Sequence, residues 1–351
     1  MRWAAIASEA WRNVTSGTAL AGPLAALLGA LCAVVIGVGS ADVRGIAERA
    51  EQFRDSGAAV LILQAPGAID PGACEALAGT PGVRAGALRR APNDVAAAAL
   101  PASSIPSYEV TPGLAGILDA SGRGGEGVLL SRAVAGTVGV GGLTAGGRPV
   151  GVGGVYEYPR DGRRADLEFA VLMPTTSGEP FDECWAVTWP QAPGLESLVR
   201  TSLLPSDSAE VTVTQLNATH GATFDGAALF EQRPTRWLPA LLALAGGVTV
   251  FLAARMRRLE LASARHSGVT LTDQWITVAL ESAAWVVAVA VVAAPVICAF
   301  VARAAPADRG SYLQLGITVW VLACAGGLAG ATAAVLMGGE RHLFEHVKAR
   351  R

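Results

Sequence analysis

Arg255, Arg257, Arg258, Glu260, Leu261, Ala262, Arg265 and Gly268 fall within a single short stretch, and Glu281 follows inside the next apolar run. These residue types suit docking rather than bond-making. A short basic helix at a membrane surface can pair its guanidinium groups with acids on a partner and set its apolar side in a cleft. A glycine just past its end supplies the left-handed turn that redirects the chain. Glu281 lies one to two turns inside its apolar run, where snorkelling or pairing with a basic loop residue is expected rather than a proton relay.

The other candidates for chemistry are weaker. His220, His266, His342 and His346 are dispersed; the last two share a helical face but lack the glutamate beside the first histidine that a zinc-protease motif requires. Asp161, Asp166 and Glu168 are mixed with three arginines and read as a solvated hairpin. Glycine-rich stretches at 122–127 and 139–147 read as turns. A phosphate-binding loop needs a lysine after its glycines, and the only lysine is Lys348. No catalytic, cofactor or metal site is expected, and any ATP chemistry would belong to another polypeptide.

The elements that must hold the basic stretch follow from composition. The 351 residues are 52% hydrophobic and 16% charged, too apolar for an ordinary soluble chain. Residues 39–234 carry 22 acidic and 14 basic side chains, whereas the remainder carries 7 and 13. An acidic middle argues against a nucleic-acid partner, which would need clustered basic residues. Uncharged or nearly uncharged runs at 18–38, 237–254, 275–302 and 313–337 are each long enough to cross about 30 Å of hydrocarbon. The expected fold is therefore an α-helical membrane protein of four spans, with a mixed α/β extracytoplasmic domain at 39–234 between spans 1 and 2. Run 18–38 has an alternative as a cleavable signal peptide, because Val38-Gly39-Ser40-Ala41 offers small residues for cleavage, but it exceeds the usual apolar length of a signal.

Counting basic residues predicts which side is inside. Arg2 and Arg12, the loop at 255–274 and the tail at 338–351 with Arg341, Lys348, Arg350 and Arg351 fall together if there are four spans. Both termini are then cytoplasmic, and the 303–312 turn lies outside with the 39–234 domain. Residues 1–17 alternate Trp3, Ile6, Ala7, Ala10 and Trp11 with Arg2, Glu9 and Arg12, as in an amphipathic helix at the interface. Gly326 with Gly330, and Gly29 with Ala33, offer close helix contact, and Pro295 should kink the third span unless neighbours satisfy the freed carbonyl.

Within 39–234, residues 44–54 continue the first span as a helix, and Asp70 before Pro71 starts a short helix over 71–78. Strands are expected at 58–64, 127–130, 150–158, 167–173, 184–189 and 210–216, and an exposed loop at 95–107. Cys74 and Cys184 are the only cysteines of this domain, so a Cys74–Cys184 disulfide is expected in an oxidising exterior; the alternative is two buried thiols. Cys32, Cys298 and Cys324 lie in spans.

The set Arg257, Arg258, Glu260, Leu261, Ala262, Arg265 and Gly268 between two spans, with Glu281 in the next, resembles the loop of FtsX-like or MacB-type ABC transporter permeases. The order of N-terminal segment, span, large outside domain and three further spans resembles the family over nearly the whole chain. Residues 127–135 and 146–155 are a weaker match to its periplasmic core; His266-Ser267 departs from the small and apolar residues usual there. The resemblance implies a permease subunit in a bacterial cell membrane, with Arg255 to Gly268 as its ATPase-coupling segment. It also implies a second protomer, identical or paralogous, and a separate ABC ATPase that carries ATP and magnesium. Its work would be export, lipoprotein extraction or activation of a cell-wall partner. A receptor or scaffold whose ectodomain binds a ligand is the alternative, and a membrane enzyme is disfavoured.

Overall fold

A computed structural model describes residues 3–98, 100–122, 127–205 and 210–337. Lys348, Arg2, His342, His346 and the remainder of the tail therefore lie outside the described residues. The chain divides into two compact units, one of residues 1–47 and 226–351 and the other of 48–225.

The N-terminal part of the first unit is helical, as its apolar spacing predicts. Helix α1 (Trp3–Thr15) buries Ile6 and Ala10. After a five-residue turn, α2 (Ala21–Asp55) runs 35 residues without a break, so the first apolar run and the 44–54 continuation are one helix.

In the 48–225 unit, β1 (Val60–Ile69) is followed by α3 (Pro71–Ala76), β2 (Val83–Arg90), β3 (Val95–Ala97) and β4 (Leu100–Ile105). Then come β5 (Ser107–Val110), α4 (Pro112–Ile117), β6 (Ser121–Gly122), β7 (Val128–Ser131) and α5 (Arg132–Val138). Strands β8 (Leu143–Ala145), β9 (Arg148–Val150), β10 (Val152–Tyr156), β11 (Val171–Pro174) and β12 (Phe181–Thr188) precede α6 (Leu195–Val199) and β13 (Thr212–Gln215). Nine strands form one sheet in the order β13-β1-β12-β2-β5-β11-β7-β10-β6, and a second sheet has the order β4-β3-β8-β9.

The long strands sit centrally because both of their faces are covered: Ile62, Trp185 and Leu88 belong to one core cluster, and Leu63, Ala87 and Cys184 to another. Asp70 starts α3 by accepting from the backbone N–H of Gly72 (2.8 Å) and Ala73 (3.2 Å), satisfying donors that the first turn leaves open. Cys74 on α3 is bonded to Cys184 on β12, with Cα atoms 5.9 Å apart.

Three sequence expectations for this unit are corrected. The stretch 95–107 is sheet rather than loop, because Val95, Ala97 and Ile105 reach a core with Leu130, Val134 and Leu143 that a Pro- and Ser-rich composition concealed. The strand expected at 167–173 begins only at Val171, since Ala165–Leu167 is a 3-10 turn anchored by the Tyr156 hydroxyl, which donates to the Leu167 carbonyl at 2.8 Å. The supposed solvated hairpin at 160–168 is half packed. Arg164 pairs with Glu183 at 2.8 Å and lies over the Trp185 ring, while Arg163 pairs with Asp161 at 2.7 Å and donates to the Asp55 carbonyl. Desolvation works to raise the Asp161 pKa, but the Arg163 hydrogen bonds overcome it and hold the carboxyl below its usual value.

The first unit resumes with α7 (Gly226–Glu231), α8 (Leu238–Met256), α9 (Arg258–His266), α10 (Leu271–Arg303) and α11 (Arg309–Leu336). Among the described residues, α2, α8, α10 and α11 make four helices that are long and apolar enough to cross a membrane. Their ends depart from the apolar runs because caps, not hydropathy, set them: Thr270 accepts from the Asp273 N–H at 3.1 Å and starts α10 four residues before Trp275. Pro295 lies inside α10, which continues to Arg303.

Glycine sets the packing of α8 on α11. A Cβ on Gly326 would come within 2.0 Å of the Ala243 carbonyl oxygen, and one on Gly330 within 2.0 Å of that of Gly247. Gly29 instead faces Val292 of α10 at ordinary contact distance.

Candidate functional site

The basic stretch folds as α9, a helix of nine residues set between two membrane-length helices. Its end is fixed by backbone geometry. The Gly268 N–H donates to the Arg265 carbonyl at 2.9 Å and the Val269 N–H to the Ala264 carbonyl at 3.1 Å, the paired bonds of a Schellman ending. Gly268 carries φ +94°, a conformation that costs side-chain-bearing residues strain. Thr270 then starts α10, so only a few residues reverse the chain.

Arg257 joins α8 to α9 and does not face outward. Its Nη1 donates to Glu281 Oε2 at 2.7 Å, its Nη2 to Glu281 Oε1 at 3.4 Å, and its Nε and Nη2 to the two Glu260 oxygens at 3.0 and 2.8 Å. Glu281, only 5% exposed on α10, also accepts from Asn13 Nδ2 of α1 at 2.6 Å. One buried carboxylate thus ties together α1, α10 and the α8–α9 junction. Burial alone would lower the Arg257 pKa; hydrogen bonds to Glu260 and Glu281 reverse that and raise it, so the guanidinium stays charged. The Arg257 hydrogen bond likewise lowers the Glu260 pKa against desolvation.

Arg265 anchors the other end of α9. Its Nε donates to Gln274 Oε1 at 2.8 Å and its Nη2 to the Val335 carbonyl at 2.7 Å, in the last turn of α11. At that end of α11 a cation meets the negative pole of the helix dipole. Gln274, buried on α10, donates back to the Leu261 carbonyl at 2.5 Å. Arg255 reaches the Met337 carbonyl at 3.4 Å.

The eight residues of the expected coupling set therefore separate into two groups. Arg257, Leu261 and Arg265 hold α9 to its own unit, Arg255 reaches the end of α11 and Gly268 ends the helix. Arg258 is exposed, together with Leu259, Ser263 and His266 on neighbouring positions of one face; Ala262, between Arg258 and His266 on that face, is half-buried, and Glu260 is exposed beside Arg257. Sequence reasoning missed Asn13, Leu259 and Gln274. Gln274 stands seven residues before Glu281, two helical turns on the same face, and that spacing was the available signal. Nothing in the N-terminal segment singled out Asn13.

Among the described residues, no group of three or more His, Cys, Asp and Glu side chains could hold a metal ion. The chain matches no protein-family profile and no curated protein. Among solved structures, it is similar to the periplasmic region of MacB from Actinobacillus actinomycetemcomitans, with 10% identity and a TM-score of 0.35 over 48% of this chain and 94% of that one. The extracellular domain of the noncanonic ABC-type transporter YknZ from Gram-positive bacteria is similar at 15% identity and a TM-score of 0.31, over 44% of this chain and 99% of that one.

Proposed function

We propose that this chain is the membrane subunit of an ABC system, with α9 as the element that engages a separate ATPase. One observation carries the reading: α9 is fastened on one side by Arg257 and Arg265 and offers Arg258, Leu259, Ser263 and His266 on the other. A short helix held rigidly at its base can pass a push from its exposed face into α8 and α10. An isolated surface helix would absorb the push by moving.

In this reading the ATPase supplies ATP and magnesium, as the lack of any lysine outside the C-terminal tail requires of a phosphate-binding loop. Arg258 pairs with an acidic group on the partner while Leu259 and Ala262 fill a cleft. Both termini and α9 lie in the cytoplasm, by the distribution of basic residues, and the acidic 48–225 unit works on the outer side of a bacterial cell membrane. A second protomer, identical or paralogous, completes the assembly. The output is conformational work by the outer unit: export, lipoprotein extraction or activation of a cell-wall partner.

The test is co-purification of the full-length chain with an ABC ATPase expressed beside it. Arg258→Glu should abolish recovery of the ATPase while leaving the yield and thermal midpoint of the chain unchanged. Equal recovery with wild type and variant would contradict the proposal.

A further inference from the structure

At 3.6 residues per turn, the side chains of α1 fall into three sectors. Ile6 and Ala10 are buried, α1 packs on α10, and Asn13 in the same sector donates to Glu281. Trp3, Ala7 and Trp11 follow at four-residue intervals along one flank; the two tryptophans are 71% and 69% exposed. Ser8 and Arg12 are exposed on the opposite flank. A helix surrounded by water has no physical reason to present two tryptophans on one side and an arginine on the other. A helix lying along a lipid–water boundary has one, because each flank then meets its own solvent. Helix α1 is also joined by only five residues to α2, a helix long and apolar enough to cross a membrane.

We propose that α1, lying in the bilayer surface as its sequence pattern leads one to expect, with Trp3, Ala7 and Trp11 in lipid, acts through Asn13–Glu281–Arg257 as a positioning arm for α9. The lipid contact rests on reading the four long helices as spans. Its consequence is that the placement of α9 depends on where the membrane surface holds α1. Asn13 bonds one Glu281 oxygen and Arg257 reaches both, so loss of the Asn13 contact unties the end of α1 from the ion pair without removing that pair.

The experiment uses the full chain with Cys32, Cys298 and Cys324 replaced by alanine and the Cys74–Cys184 bond kept, reconstituted in vesicles of phosphatidylcholine and phosphatidylglycerol. Nitroxides on Ala7→Cys and Ser8→Cys are compared for collision with oxygen, which concentrates in lipid, and with a water-soluble nickel chelate. Oxygen should dominate at position 7 and nickel at position 8. Nickel dominating at both positions would place α1 in water; loss of access to both reagents at position 7 would assign that flank to a protein partner, and either result overturns the lipid contact. With nitroxides on Ala7→Cys and Ser263→Cys, Asn13→Ala should broaden a narrow distance distribution while the oxygen preference at position 7 persists. An unchanged distribution would overturn the positioning role. No ATPase is present, so these outcomes are independent of whether α9 engages one.

Discussion

Glu281 can remain a buried carboxylate only because Arg257 and Asn13 satisfy its oxygens. Removing one partner of such a pair leaves an uncompensated charge, which typically costs about 3–5 kcal/mol. Arg257→Ala, which leaves Glu281 with Asn13 alone, should therefore lower the thermal midpoint of the full chain in detergent sharply, and Glu281→Ala less, because Arg257 keeps Glu260. The Arg257→Met/Glu281→Met pair should cost less than the sum of its single changes; strict additivity would show the two groups do not interact. Arg258 is the contrasting residue, because its exposed side chain predicts a change in partner binding with no measurable change in stability. Asp161 gives a residue-level pH dependence in the 48–225 unit. Its folded pKa is depressed, so its contribution is present above the unfolded value of about 3.9 and disappears as pH falls through the lower folded value. Asp161→Asn should flatten the acid limb of the unfolding midpoint measured against pH.

Glycine decides two features at the level of elements. Gly268→Ala places a side chain at φ +94° and should destabilise the end of α9 by about 1 kcal/mol or more, seen as faster hydrogen exchange at Val269. Gly330→Leu should force α8 from α11, since even a Cβ there meets the Gly247 carbonyl oxygen. A loss of thermal stability well beyond that of Gly310→Leu, at a glycine with open space around it, would verify the contact. These features were visible in the sequence to different degrees. The glycines at 326 and 330 announced a close face by spacing, but not that Ala243 and Gly247 of α8 lay opposite. Gly268 announced the helix end, because a left-handed residue after a helix has few alternatives.

For the whole molecule, the sequence was informative where apolar runs were long. Four membrane-length helices follow from length and hydropathy, and Asp70-Pro71 located α3. The Cys74–Cys184 bond was legible because these are the only cysteines of residues 39–234; that β12 carries Cys184 to α3 was not. Alkylation of the denatured chain without reductant should accordingly label three of five cysteines, Cys32, Cys298 and Cys324. Reduction should destabilise the 48–225 unit by about 5 kcal/mol on the loop-entropy account, read from its denaturant midpoint. The sheet order was not legible, because β1 pairs with β12 and β13 across long separations that local patterning cannot encode. Neither was the division of labour among the arginines at 255–265. All four carry the same charge in the sequence, and only the positions of Glu281, Gln274 and the end of α11 determine which are held inside. The measurement that bears most directly on the central claim is ATP hydrolysis by a co-expressed ABC ATPase reconstituted with this chain in vesicles. The account predicts that wild-type chain changes the hydrolysis rate and that Arg258→Glu, equally folded, restores the rate of the ATPase alone. An Arg258→Glu chain as effective as wild type would contradict it.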